Sequence, residues 1–305
     1  MDNLKLAYYD SKFESQFLRS TGMSFQDFFS EIMEKRYPED FTRIRPWGNV
    51  GDRKCDGYLS SKKTLFQVYA PNEMTMAEAI AKIDVDFHDA LPFWNNYISS
   101  WIFVHNSRQG LSADVKKKLE SLKTEEPIMN IVEWGYGEIR NEVLQLSEFE
   151  LGSLLGAAPS NRIMTQLRYE DIRSVLINVA RQESSIEGVI KPVPGNKINH
   201  NSLSKNVETM LSSGMRKSNQ VRNFFKEHKD PRYGDRITAA YNKKYNELKE
   251  QILDPDLIFY ELQNFTAGET RSTPEIECAI LAILAYFFEE CEIFEEPPIK
   301  ENLLR

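Results

Sequence analysis

The chain has 305 residues, 41% hydrophobic and 28% charged, an ordinary composition for a soluble globular protein and enough for two domains of about 150 residues each. A net charge of −8 argues against a protein that coats nucleic acid non-specifically, although local patches still decide binding at a site. Three cysteines, at 55, 278 and 291, and four scattered histidines lack metal-ligand spacing, which argues against zinc and fits a reducing cytoplasm.

The opening "MDNLKLAYYDSKF" has no charged-then-apolar leader, so no secretion signal is read. The first periodic segment is "SFQDFFSEIMEKR", residues 24–36. Ser24 and Asp27 form a weak capping box there, and Phe25, Phe28, Phe29, Ile32 and Met33 make one helical stripe. Glu31 lies at the edge of that stripe. Residues 41–45 alternate apolar and basic, a short strand, and 46–51 form a turn. Asp56–Leu59 and Thr64–Tyr69 then read as two strands around the polar turn "SSKK". Further on come a helix from about 75 to 91, a buried strand at 99–106, a helix at 112–122, a strand at 128–135 and a short helix at 137–143. An antiparallel meander followed by strands that return through helices implies a mixed sheet with helices on its faces. That order is also the common core of the PD-(D/E)XK nucleases.

The stretch "GDRKCDGYLSSKKTLFQVYAP" (51–71) carries the candidate chemistry. Alternation along the strand puts Gln67 and Tyr69 on one face, with Phe66 and Val68 on the other. If the two strands pair, Asp56 lies beside Gln67. A carboxylate and an amide oxygen are hard ligands suited to Mg²⁺ or Mn²⁺, and Mg²⁺ keeps several waters and needs few protein groups. Such an ion polarises a phosphodiester and lowers the pKa of an attacking water. Glu31 is placed to reach in from the first helix, Asp52 and Arg53 to act as outer contacts. The Lys expected two residues after Gln67 is replaced by Tyr69, so Lys54 is the candidate migrated cation. The plain alternative is that "DRK" is a solvated turn, and Cys55 reads as a small core residue facing away from Asp56.

After "LGAAPSN" (155–161) the α/β pattern stops. Ile163, Leu167, Ile172, Val175, Leu176 and Val179 recur at helical spacing, and 185–200 reads as a loop with two Pro and two Gly. Helices are expected at 201–212, 215–228, 233–252, 255–264 and 274–291. Residues 214–244 are rich in Lys and Arg. A solvated helix face explains most such runs, but Arg216, Lys217 and Arg222 are the candidates for a DNA or partner contact. The aromatics at 224, 225, 233, 241 and 245 suit a helix core. "CAILAILAYFF" (278–288) is far short of the roughly 18 apolar residues of a membrane span. Tyr286, Phe287 and Cys291 read as core, and Phe294 as packing onto a neighbour. With no P-loop, the chain carries no ATPase of its own.

Two runs carry a family resemblance. "GNVGDRKCDGYLSSKKTLFQVYAP" is similar to the N-terminal restriction-endonuclease-like domain of bacterial ABC-three-component (SMC/ATPase-associated, Lamassu-like) systems. Its matching positions are Asp52, Arg53, Lys54, Asp56, Gln67 and Tyr69, so a Tyr at 69 fits that family's own pattern. "AILAYFFEECEIFEEPP" resembles their C-terminal region. The resemblance implies a PD-(D/E)XK nuclease-like domain over 1–155 and a helical partner-interaction domain over 156–305. The expected fold is thus an α/β restriction-endonuclease-like domain followed by an all-α domain. The expected function is a metal-dependent DNA endonuclease effector of an anti-phage or anti-plasmid system. Its expected partners are DNA, an SMC-like or AAA-type ATPase, a small third component and further copies of the chain, with no membrane. The alternative is an inactive nuclease-fold adaptor that binds DNA or joins components; an RNase of the same fold ranks third.

Overall fold

The computed structural model describes residues 1–45, 53–180, 197–251, 254–290 and 293–295. They fall into two compact units, Phe13–Leu154 and Met1–Lys12 together with Leu155–Arg305. Helix α1 (Asn3–Arg19) is therefore shared between them along its own length.

The 13–154 unit is built on a five-stranded sheet in the order β1 (Phe41–Arg43), β2 (Gly57–Leu59), β3 (Thr64–Tyr69), β4 (Ser100–His105), β5 (Asn130–Trp134). The first two pairings are antiparallel and the last two parallel. This is the mixed meander-plus-crossover sheet that the sequence implies. α3 (Met76–Trp94) and α4 (Ala113–Glu125) supply the crossovers. Leu65, Trp101, Phe103 and Ile131 face them and pack with Ala79, Ile83, Phe87, Val115 and Leu119. Phe66 lies on the other face, ringed by Phe29, Phe41 and Trp134 at centroid distances of 5.2–5.9 Å. Phe29 comes from α2 (Gly22–Arg36), whose buried stripe also holds Phe25, Phe28, Ile32 and Met33. The cap of α2 lies three residues before the expected one. Thr21 is its N-cap and Ser24 sits at the third helical position, its hydroxyl accepting from the Thr21 N–H at 3.1 Å. The Asp-Gly dipeptide at 56–57 has a packing cause beyond turn chemistry. A Cβ on Gly57 would lie 2.4 Å from Cζ of Phe41, so only glycine lets β1 close onto β2. α5 (Tyr136–Leu144) and α6 (Glu148–Leu155) complete this region; α1 and α6 were not expected from the sequence.

The other unit is helical. The expected continuous helix from 161 breaks at Leu167–Arg168 into α7 (Asn161–Gln166) and α8 (Tyr169–Ala180). A short α9 (Lys197–His200) begins where a loop was expected, and the rest of that loop lies outside the described residues. α10 (Lys205–Met215), α11 (Ser218–Glu227), α12 (Tyr233–Gln251) and α13 (Pro255–Ala267) precede α14 (Pro274–Glu289). Every α14 residue from Glu277 to Phe288 is buried. A helix apolar on all sides must be enclosed, and α7, α8, α10, α11 and α13 enclose it. Both its ends are tied by buried polar groups. Glu277 accepts from the Tyr8 hydroxyl at 2.8 Å and the Ser272 hydroxyl at 2.7 Å. At the other end the buried ammonium of Lys197 donates to the Phe288 carbonyl at 3.0 Å and the Ile293 carbonyl at 2.6 Å. A cation there also meets the negative end of the helix dipole. Phe294 does not face outward to a neighbour as expected; it is buried against Tyr245 and Phe288 of its own unit. Tyr286 and Phe287 are core, and Cys291 is outside the described residues.

Candidate functional site

The register of β2 on β3 pairs Gly57 with Phe66, and the Asp56 N–H donates to the Phe66 carbonyl at 2.9 Å. One step further, Asp56 stands across from Gln67. The two residues are buried to 6% and 5% exposure, too little to be solvated surface groups. Their side chains are not in the same situation. Asp56 Oδ2 accepts from the Val68 N–H at 2.6 Å, so a carboxylate takes over the β3 ladder where β2 ends. Its Oδ1 accepts from Gln26 Nε2 of α2. By contrast Gln67 Oε1 has no hydrogen-bond partner among the described residues. Leaving such an acceptor dry and unpaired costs on the order of 1–3 kcal/mol.

Lys54 and Arg53 precede Asp56 on a turn where both have left-handed backbone, at φ +58° and +55°. Non-glycine residues seldom adopt it, and two in succession need outside support. α3 supplies that support twice. The Trp94 indole N–H donates to the Arg53 carbonyl at 3.2 Å. Lys54 Nζ lies 3.0 Å from Oδ1 of Asp86, a fully buried carboxylate whose Oδ2 is 2.8 Å from Lys82 Nζ. Both ammonium groups are at ion-pair distance without the alignment of hydrogen bonds. Lys54 is thus directed to α3, a third exposed, and Asp89 lies 3.8 Å from it as well. Tyr69 packs on Phe103 with ring centroids 6.0 Å apart. Burial, with the charge of Glu78 adding to it, pushes its hydroxyl pKa up, so it remains a donor.

Glu31 is half exposed and pairs with Lys35 at 3.6 Å. Gln26, and not Glu31, is the α2 side chain that meets Asp56. Asp52 lies outside the described residues. The three basic candidates of the helical unit differ in their contacts. Arg222 is bound to Glu290 at 2.5 and 3.2 Å, Lys217 donates to the Thr165 carbonyl at 2.9 Å, and Arg216 is exposed.

Sequence reasoning missed Gln26 and Asp86. Gln26 carried no signal. Asp86 did, because it sits in the apolar stripe Ala79, Ile83, Phe87, Ala90 of α3, where a carboxylate requires a partner. His105, opposite Tyr69 in the β3–β4 register, was also unremarked. Burial drives its pKa down to about 4, so the imidazole is neutral near pH 7. Among the described residues no group of three or more His, Cys, Asp or Glu side chains is arranged to hold a metal ion.

Residues 168–295 match the model of C-terminal domain 10 of the ABC-three-component (ABC-3C) systems. The match supports membership in the ABC-three-component systems. It covers less than half of the chain and lies wholly within the helical unit. Membership in an ABC-three-component system implies partner components. Comparison with curated proteins and with solved structures finds no match. Among the described residues no helix is long and apolar enough to cross a membrane.

Proposed function

We propose that the 13–154 unit is a restriction-endonuclease-like, metal-dependent DNA endonuclease. It would be the effector of an ABC-three-component defence system, acting in the cytoplasm. The observation that carries this reading is the buried Gln67 Oε1, without a hydrogen-bond partner among the described residues, across the ladder from Asp56. A small hard cation satisfies such an acceptor, and Mg²⁺ asks for no more than one or two protein ligands because it keeps its waters. Asp56 and Gln67 would hold the ion. When bound, Mg²⁺ or Mn²⁺ supplies Lewis-acid polarisation of a phosphodiester and a more acidic water.

The chain's own groups then have separate tasks. Gln26 and the Val68 N–H orient the Asp56 carboxylate. The Tyr69 hydroxyl donates a hydrogen bond without carrying charge. Lys54 supplies positive charge from a turn held by Asp86 and Trp94. The helical unit, through its match to C-terminal domain 10, would join an SMC-like or AAA-type ATPase and a third component. Those partners would release activity only when invading DNA is sensed.

The adaptor reading has its own observation. Both Asp56 oxygens already accept hydrogen bonds, and Lys54 is drawn to Asp86. An inactive nuclease fold that only joins components would look the same. Plasmid cleavage with Mg²⁺ or Mn²⁺ and the partner components separates the two. The endonuclease reading requires cleavage by the wild type and its loss in Asp56→Ala and in Gln67→Ala. Cleavage that is equal in all three refutes the centre; component assembly without cleavage in either metal favours the adaptor.

A further inference from the structure

The end of α3 and the segment behind it carry aromatic rings that the proposed centre does not use. Phe93 is 50% exposed and Tyr97 61% exposed, so neither is core. They stand on a rigid base. Trp94 stacks on Tyr58 at 5.6 Å with the planes 26° apart, and Phe93 meets the Trp94 edge at 5.2 Å. The Tyr58 hydroxyl donates to the Tyr97 carbonyl at 2.9 Å, fixing the backbone that presents Tyr97. The Arg53 guanidinium sits over the Phe93 ring, 5.4 Å from its centroid.

Two further facts set the charge of this surface. Arg53 has no acidic partner among the described residues, and it is exposed. Lys63 is also exposed and has none; its carbonyl accepts from the Ser99 and Ser100 N–H groups, which places the β2–β3 turn beside the Tyr97 segment. Phe149 is more exposed than Phe93, yet no cation among the described residues stands over its ring. Exposed apolar residues scattered singly need no explanation. Two exposed rings four positions apart, rigidly backed and flanked by cations without an acidic partner among the described residues, are different. A neutral apolar protein partner would leave Arg53 and Lys63 buried and unpaired. A polyanion with flat faces satisfies rings and cations together, because bases stack on aromatics while phosphates meet Arg and Lys.

We infer that Phe93, Tyr97, Arg53 and Lys63 form a stacking platform for an unpaired nucleic-acid strand. The platform rests on the endonuclease reading in one respect: it names the form of substrate brought to Asp56, three residues along the chain from Arg53. Duplex DNA does not expose base faces and gains nothing from the rings.

The test is fluorescence anisotropy of the full chain with labelled oligothymidylate and with a matched duplex, in EDTA so that no cleavage intervenes. Phe93→Ala and Tyr97→Ala are each expected to weaken single-strand binding about tenfold and to leave duplex binding unaltered. Arg53→Ala is expected to lower the slope of log affinity against log salt by about 0.7. Phe93→Leu and Tyr97→Leu, which keep the apolar bulk, should weaken it as well and guard against a folding artefact. The platform is overturned if wild type shows no binding to oligothymidylate, if the alanine variants bind it as wild type does, or if both DNA forms weaken equally. Ring-dependent binding without metal-dependent cleavage would sink the endonuclease reading and keep the platform. Asp56-dependent cleavage with ring-independent binding would do the reverse.

Discussion

Glu277 in the helical unit and Asp86 in the sheet unit are both buried carboxylates, and the two are held in opposite ways. Glu277, at the start of α14, accepts from two neutral hydroxyls, those of Tyr8 and Ser272. Asp86, in the middle of α3, sits between two ammonium groups, those of Lys54 and Lys82. Neutral donors bind a carboxylate modestly and can be lost modestly, whereas a buried charge stripped of its counter-charge is expensive. The first arrangement ties the start of a helix to a distant segment of the chain. The second sits beside a turn with two left-handed residues, where charge holds strain in place. A polar core can therefore serve architecture in one unit and a prospective site in the other.

This contrast gives an order of effects. The double variant Lys54→Met, Lys82→Met leaves Asp86 buried without a cation and is expected to destabilise by about 3–5 kcal/mol in urea unfolding. A loss below about 1 kcal/mol would mean that Asp86 does not depend on its lysines. Tyr8→Phe removes a single neutral donor from Glu277, and about 2 kcal/mol is expected by the same measurement. Were Tyr8→Phe the costlier change, the ranking of charged over neutral partners would be reversed.

His105 has neither device, and its behaviour with pH shows what bare burial does. Its folded pKa of about 4 lies below the unfolded value near 6.5. As pH falls, the unfolded chain takes up the proton first. The contribution of His105 is thus complete above about pH 6.5 and is lost toward pH 4, at about 1.4 kcal/mol per pH unit. His105→Gln should flatten that limb of the stability curve; an unchanged slope would contradict a buried neutral imidazole. The smallest effect is expected of Glu31→Ala, an exposed carboxylate in a helix ion pair, at under about 0.5 kcal/mol. Because Gln26 is the α2 contact of Asp56, cleavage should also survive this change. Its loss would place Glu31 in the metal centre after all.

The sheet was legible because its strands are marked by alternation and bounded by turn residues. Thr64–Tyr69 agrees at both ends, and the meander followed by crossovers yields the observed order. The α2 cap was displaced by three residues because Ser24 has the chemistry of a cap but serves as the residue that answers one. α1 escaped because a helix with apolar residues on several sides shows no single stripe: Leu4, Tyr8, Tyr9, Phe13 and Phe17 are all buried. The neighbourhood of Asp56 and Gln67 followed from β periodicity, since register is a backbone property. Where Lys54 points did not follow, because it depends on Asp86, 32 positions away on a helix that no local pattern links to the turn. The break between α7 and α8 fell inside one apolar period, and it is the extended C-cap of α7 at Leu167 that reveals it.

The hydrogen bond from Tyr8 to Glu277 joins residues 269 positions apart. Residues 1–12 group with 155–305, so residues 13–154 are inserted between two parts of a helical unit that are made at separate times. On the ribosome the inserted sheet has all its strands before the segments that residues 1–12 bond to, at Asn161, Asn206 and Glu277, have been made. Domains fold as units once their chain has emerged. The sheet unit is then expected to be complete before the helical unit that bears the family match can close, because α14 is made after every strand of the sheet.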